Sequence, residues 1–387
     1  MKTFTCPARA RHCGGCPLLE QPYPEQLLQK QERVNALLGA FCKPLPILGM
    51  EQPLHYRNKA IATFTLAGGR LDCGLYEEGS HRVVPFQDCL LIDRRLAEIL
   101  RAVVQAAGKC RYSAYDEDRR TGLLRHVVLR RGLKTGECSV TIVTPTSFLP
   151  GSREFVRLLR EACPDVTTVV QNINPRQTSA VLGNQEKILF GKGFVSDFLC
   201  GKRFGIGSRA FYQINPVQTE RLYQTAIGFA GLTGKERVID AYCGIGTIGL
   251  IAAPHAREVL GVELNAEAVK NALRNARNNG VENARFLCAD AGQLMDRMAQ
   301  AGESADLVFL DPPREGASEQ FLRALLRLSP ARVVYISCNP ETQQRDLALL
   351  TKEGYRVEKI QPVDLFPHTK HIECVALLCL QGKAGSV

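Results

Sequence analysis

Asp240-Ala-Tyr-Cys-Gly-Ile-Gly-Thr247 follows the apolar run Arg237-Val-Ile-Asp-Ala-Tyr242 and leads into a helical stretch. A glycine turn between a strand and a helix lets the backbone pass close to a ligand over a sheet edge. From about residue 203 the same rhythm of strand and helix repeats. Candidate strands are 237–242, 258–263, 284–288, 305–310, 332–337, 356–360 and 371–378. Between the second and third, Ala266 to Asn279 carries apolar residues at helical spacing, is led by Asn265 as N-cap and stops at Gly280. Alternation of this kind predicts an α/β fold with a doubly wound, Rossmann-like sheet.

In open α/β sheets, ligands bind beyond the carboxyl ends of the strands. Glu263 ends the second strand, where a carboxylate can take both hydroxyls of a ribose; Asp290 follows the third and Asp311-Pro-Pro-Arg314 the fourth. Tyr335-Ile-Ser-Cys-Asn-Pro340 places Cys338 at the end of the fifth, as a candidate nucleophile.

The glycine turn also reads Gly244-Ile-Gly246-Thr-Ile-Gly249, a spacing that fits dinucleotide binding, so it does not choose the cofactor alone. With Asp311-Pro-Pro and the long Asp240-to-Gly246 turn, the set resembles the class I S-adenosylmethionine-dependent methyltransferase fold. Methyltransferases acting on exocyclic amines often follow Pro-Pro with an aromatic residue that stacks on the base. Arg314 stands there, which favours carbon methylation through Cys338.

The chain has 387 residues, 45% of them apolar, enough for two or three cores. Neither an export signal nor an apolar run of membrane-spanning length is visible, which predicts a cytoplasmic protein with no membrane partner. Residues 1–45 hold a cysteine group and an amphipathic helix, roughly Pro24 to Leu38. Residues 46–200 read as an α+β domain of short strands, such as 60–66, 71–76 and 139–143, with helical stretches near 93–107 and 151–162. Residues 201–387 form the α/β domain.

A formal charge of +10 favours a polyanionic partner without identifying one. The excess has a local focus: Arg119, Arg120, Arg125, Arg130, Arg131 and Lys134 surround the alternating stretch Leu123–Arg131. Either this is a solvated face on a charge-protected strand edge, or it is a phosphate-binding surface.

Fifteen cysteines in a chain of this size read as buried thiols, metal ligands or catalytic groups. Seven of them (42, 110, 138, 163, 200, 288 and 379) have no ligand-like spacing. Cys6, Cys13 and Cys16, joined later by Cys89, are compatible with a zinc site or an iron–sulfur cluster, and the Cys13–Cys16 pair alone with a redox dithiol.

Five motifs, Phe211-Tyr-Gln-Ile-Asn-Pro216, Asp240–Gly246, Asp311–Arg314, Ser337-Cys-Asn-Pro340 and Pro367-His-Thr-Lys-His-Ile-Glu373, together resemble the RNA uracil-C5 methyltransferases, in the same order. The resemblance implies Cys338 as the thiolate that adds to carbon 6 of uracil and Glu373 as the base that removes the carbon 5 proton. It assigns Gln213, Tyr242, Glu263 and Asp311 to S-adenosylmethionine, with Gly244, Gly246 and Asp290 lining the same site, and Phe211 with Gln213 to the target base; Asp311 would also orient the uracil. For the cysteines it selects a [4Fe–4S] cluster on Cys6, Cys13, Cys16 and Cys89, with Cys73 the most credible substitute fourth ligand. Many relatives begin with a small β-barrel RNA-binding domain, whereas this chain starts at the cysteines. Because the tRNA-modifying relatives generally lack the cysteine group, the expected substrate is a uridine of 23S ribosomal RNA, methylated by a monomer. The T-loop uridine of tRNA is the alternative, ahead of a noncatalytic RNA-binding or folding role.

Overall fold

A computed structural model of the protein describes residues 4–77, 79–86, 88–178 and 180–382. The chain forms two compact units. The first comprises Met1–Gln21, Gln52–Phe198 and Gly205–Pro216; the second comprises Pro22–Glu51, Leu199–Phe204 and Val217–Val387. The expected consecutive regions 1–45, 46–200 and 201–387 are thus interleaved. Helix α1 (Tyr23–Leu38) belongs to the second unit, because Val34 and Leu38 enter its core and Lys30 forms a buried ion pair with Asp364 at 2.6 Å. Two of the four residues it buries are Gln26 and Lys30, so its packing face does not read as apolar in the sequence.

The first unit carries β1 (Lys59–Ala67), β2 (Arg70–Tyr76), β3 (Val83–Pro85), α2 (Arg94–Lys109), β4 (His126–Arg131), β5 (Cys138–Thr144), α3 (Ser152–Ala162), β6 (Val166–Ile173) and β7 (Gln185–Phe190). Its sheet runs β3-β2-β1-β4-β5-β6-β7, antiparallel except for the β5–β6 pair. Strict alternation makes one face of β1, β4 and β5 apolar. Ala60, Ala62, Phe64, Val127, Leu129, Val140 and Ile142 join one core with Leu96, Ile99 and Val103 of α2 and Phe155 and Leu159 of α3. A ribbon of β8 (Phe194–Leu199) and β9 (Lys202–Gly207) follows.

The second unit continues with α4 (Pro216–Ala230), β10 (Arg237–Ala241), α5 (Thr247–Ala252), β11 (Glu258–Glu263), α6 (Ala266–Asn278), β12 (Ala284–Cys288), α7 (Ala291–Gln300), β13 (Leu307–Leu310), α8 (Glu319–Leu328), β14 (Arg332–Ser337), α9 (Pro340–Lys352), β15 (Tyr355–Val363) and β16 (Glu373–Leu380). All seven anticipated strands lie in one sheet, ordered β12-β11-β10-β13-β14-β16-β15. The five leading strands are parallel. The last, β16, inserts antiparallel between β14 and β15. Asn265 caps α6 by accepting from the amides of Glu267 and Ala268, as its spacing predicts. No described helix is long and apolar enough to cross a membrane.

Candidate active site

At the carboxyl edge of the parallel strands, the chain leaves β10 through a turn in which Tyr242, Gly244 and Gly246 have φ of 63°, 54° and 81°. Left-handed backbone is costly for a residue with a side chain, so the tyrosine marks a strained, over-determined position. A Cβ at Gly246 would lie 2.9 Å from the Phe286 ring, and glycine is required there on both counts. The turn is braced from below. Buried Asp240 accepts from the Gly249 amide at 2.7 Å, and Glu263 accepts from the amides of Gly244 at 3.1 Å and Asn265 at 2.8 Å. Carboxylate oxygens have further lone pairs, so Glu263 can still receive ribose hydroxyls. Asp290 caps α7 through the Gln293 amide, and the Tyr242 ring rests against Phe321 at 5.3 Å. The turn and carboxylates therefore fit a nucleoside cofactor.

Cys338 is the first residue beyond β14 and Glu373 the first of β16. Ser337 and Cys374 are direct partners in the antiparallel β14–β16 ladder, so the thiol and the carboxyl meet at one sheet edge. Glu373 is 2% exposed. Burial, reinforced by Asp311, holds its carboxyl well above the ordinary carboxylate range, and the Arg314 guanidinium opposes the rise. The Cys338 thiol is pushed up to about 11 by burial, Glu373 and Asp311, again against Arg314. Burial raises Asp311 and Asp240 to about 7 each. Tyr223 of α4, fully buried, hydrogen-bonds Thr247 and feels Asp311 and Glu373. In the sequence Arg314 is marked only by the aromatic it replaces; its charge acting on the thiol and the base emerges only in the fold. Tyr223 carried no motif at all.

Phe211 and Gln213 lie in the first unit, the ring 72% exposed and the amide side chain buried. The four expected cluster ligands come together in that unit: Cys6, Cys13, Cys16 and Cys89 line one cavity of about 60 Å³, with Arg9 and Arg57. The Cys16 thiol is pushed up to about 12 by burial and by the other three. Cys73 is buried elsewhere in the core. Among the described residues no three His, Cys, Asp or Glu side chains form a group that could hold a metal ion.

The basic stretch is corrected by the structure. β4 is an interior strand paired on both sides, not an edge. Arg125 is 4% exposed and donates to the carbonyls of Asn174 and Arg176 at 2.7 and 2.8 Å and to Glu117. Arg131 binds both carboxylate oxygens of Asp93, the N-cap of α2. Arg130 is 2% exposed and holds the Ala210 carbonyl at 3.0 Å. None of the three is a free arginine on an open phosphate-binding surface: Arg125 and Arg130 are buried, and half-buried Arg131 is engaged by Asp93. Arg119, Arg120 and Lys134 are exposed.

The family model for tRNA (uracil-5-)-methyltransferases matches residues 179–381. An RNA methyltransferase of Halalkalibacterium halodurans, itself uncharacterized, is 42% identical over 97% of this chain and 83% of its own length. The chain belongs to the RNA uracil-C5 methyltransferase family. A second uncharacterized relative of this family-wide kind, from Caldanaerobacter subterraneus subsp. tengcongensis, is 41% identical over 95% of the chain and 82% of its own length. Among solved structures, the Pyrococcus abyssi tRNA (uracil-54, C5)-methyltransferase in complex with S-adenosyl-L-homocysteine is similar at a TM-score of 0.79 and 27% identity, covering 95% of this chain and 86% of that one. As a member of the family, the protein is an S-adenosylmethionine-dependent RNA methyltransferase, and RNA is its substrate.

Proposed function

We propose that the enzyme methylates carbon 5 of a uridine in 23S ribosomal RNA. Carbon 5 of uracil is a poor nucleophile until a thiolate adds to carbon 6. Cys338, at the sheet edge, would form that bond, and Arg314 is the cation that favours its ionised form. S-adenosylmethionine, when bound by Tyr242, Gly244, Gly246, Glu263, Asp290 and Asp311, supplies the electrophilic methyl group. Glu373 then takes the proton from carbon 5, the electron pair reforms the 5,6 double bond, and Cys338 leaves as thiolate. A buried carboxylate with a raised pKa is a strong base for this step. Asp311 orients the uracil. Phe211 offers an exposed ring for stacking on an unpaired base, and Gln213, two residues on, completes the set assigned to the base and the cofactor.

The observation that carries the choice of ribosomal RNA is the grouping of Cys6, Cys13, Cys16 and Cys89 around one cavity. These thiols would hold a [4Fe–4S] cluster with a structural role, tying the amino-terminal segment to the sheet of the first unit. The proposal includes action as a cytoplasmic monomer. A second reading, methylation of the T-loop uridine of tRNA, draws on the stated substrate of the Pyrococcus abyssi enzyme. Mass mapping of 5-methyluridine in 23S ribosomal RNA and tRNA, from cells with and without the protein, separates the two. Loss of the base from 23S RNA alone supports the first reading; loss from tRNA alone overturns it.

A further inference from the structure

We propose that a polar stripe on α1, formed by Tyr23, Gln26, Lys30 and Arg33, positions the base Glu373 by holding the loop that leads into it, an assignment that rests on the mechanism proposed above. Glu373 opens β16, where its ladder partner is Val363 of β15 alone; pairing with β14 starts at Cys374. On its other side lie residues 364–372, which form neither helix nor strand. A base entered from such a segment takes its position partly from whatever holds that segment.

Spacings of three, four and three put the stripe on one helix face. Its contacts follow the loop step by step. Asp364, fully buried, accepts from Lys30 Nζ at 2.6 Å and from the Tyr23 hydroxyl at 2.8 Å. Lys30 also donates to the Phe366 carbonyl at 3.2 Å. Gln26, fully buried, grips His368 twice: its amide oxygen accepts from the backbone N–H at 3.0 Å, and its nitrogen lies 3.1 Å from ring Nδ1. Arg33 donates to the Lys370 carbonyl at 3.1 Å and ion-pairs with Glu341. The anchored residues are therefore 364, 366, 368 and 370, and the last stands three positions before Glu373.

Two features point to positioning beyond simple support. An apolar pair of like volume stabilises a fold as well as a buried ion pair does, so Lys30 and Asp364 contribute direction more than stability. His368 has a φ of 65°, a costly conformation that persists only where its surroundings over-determine it, and Gln26 constrains both its backbone and its ring. Cys338, by contrast, sits between the end of β14 and Asn339, the N-cap of α9. Loosening the stripe should therefore spare thiol addition and methyl transfer. It should slow the last step, in which Glu373 takes the carbon 5 proton, the electron pair reforms the 5,6 double bond and Cys338 leaves as thiolate.

The test uses the full chain, S-adenosylmethionine and whichever of the 23S and tRNA transcripts the wild type methylates. Arg33 is exposed, so Arg33→Ala should fold normally. Lys30→Met combined with Asp364→Leu replaces the buried pair by apolar residues and should also fold. Both variants should transfer methyl in a single turnover at the wild-type rate but eliminate about tenfold more slowly, as for a displaced catalytic group. Each should then show a methylated protein–RNA conjugate on denaturing electrophoresis, where the wild type shows none. Methyl transfer and elimination falling together, with no conjugate from either variant, would mean that α1 only supports the fold and would overturn the assignment. Glu373→Gln separates the two levels. If it accumulates conjugate while neither α1 variant does, the positioning role alone is wrong; if it accumulates none, the role of Glu373 as base fails, and this inference with it.

Discussion

Ser337 pairs with Cys374 across the β14–β16 ladder, and that one register brings Cys338 and Glu373, thirty-five positions apart in the chain, to the same sheet edge. Glu373 is held inside β16, and Cys338 stands one residue beyond the last paired position of β14, so the ladder fixes where both begin. Their separate roles can therefore be tested by substitutions that leave the ladder intact.

Cys338→Ala should bind RNA and S-adenosylmethionine yet form no covalent adduct and show no turnover. Glu373→Gln should transfer one methyl group and then accumulate a protein–RNA conjugate, since the carbon 5 proton has no acceptor. RNA containing 5-fluorouridine should trap the wild type in the same way. Denaturing electrophoresis reads all three, and turnover by Cys338→Ala would remove the mechanism.

The pH dependence of adduct formation follows from the same pair. With the resting thiol near 11, kcat/KM should rise with pH from neutrality to the alkaline limit of stability, because the thiolate fraction grows throughout. Arg314 lowers the pKa of both Cys338 and Glu373, so Arg314→Gln should move the rising limb to higher pH. A limb that stays in place would show that the guanidinium does not act on the thiol.

Asp240 and Asp311 should make the ligand-free protein less stable as pH rises. Their folded-state values, about 7, lie above the unfolded value, so the folded state binds more protons between roughly pH 4 and 7. Stability is full below that window and lost through it. A rise of roughly three pH units is worth at most about 4 kcal/mol per group. Asp311→Asn should flatten part of the slope in denaturant titrations at several pH values, and an unaltered slope would count against the assignment.

Arg125→Ala should destabilise the fold by about 2–4 kcal/mol, because it strands two carbonyls that the guanidinium now satisfies. Its effect on the salt slope of RNA binding should be negligible once stability is matched by temperature. A slope change without a stability change would restore the surface reading of this strand.

Anaerobically purified protein should be brown and contain iron and sulfide in equal amounts. Replacing Cys16 by Ser should bleach it and lower the melting temperature, while Cys73→Ser should keep the colour. Zinc in place of iron, with no visible absorbance, would end the cluster proposal.

Local pattern determined the second unit's strands and the carboxyl-edge positions of Glu263, Asp290, Asp311 and Cys338. A parallel sheet built from alternating strands and helices leaves few other arrangements, and its ligand edge follows from strand direction. Glu373 could be paired with Cys338 from sequence only through the family resemblance, since spacing says nothing about an antiparallel strand returning between β14 and β15. Tertiary structure alone decided the fate of the basic stretch. Alternation at period 2 states that Arg125, Leu123 and Val127 share one strand face and Arg130 the other, but which face meets a core, and that both are covered, depends on strands distant in the chain. The same holds for α1, whose buried Lys30 finds its carboxylate at Asp364 only in the fold. Side-chain chemistry is written locally; which charged groups face each other is a property of pairing.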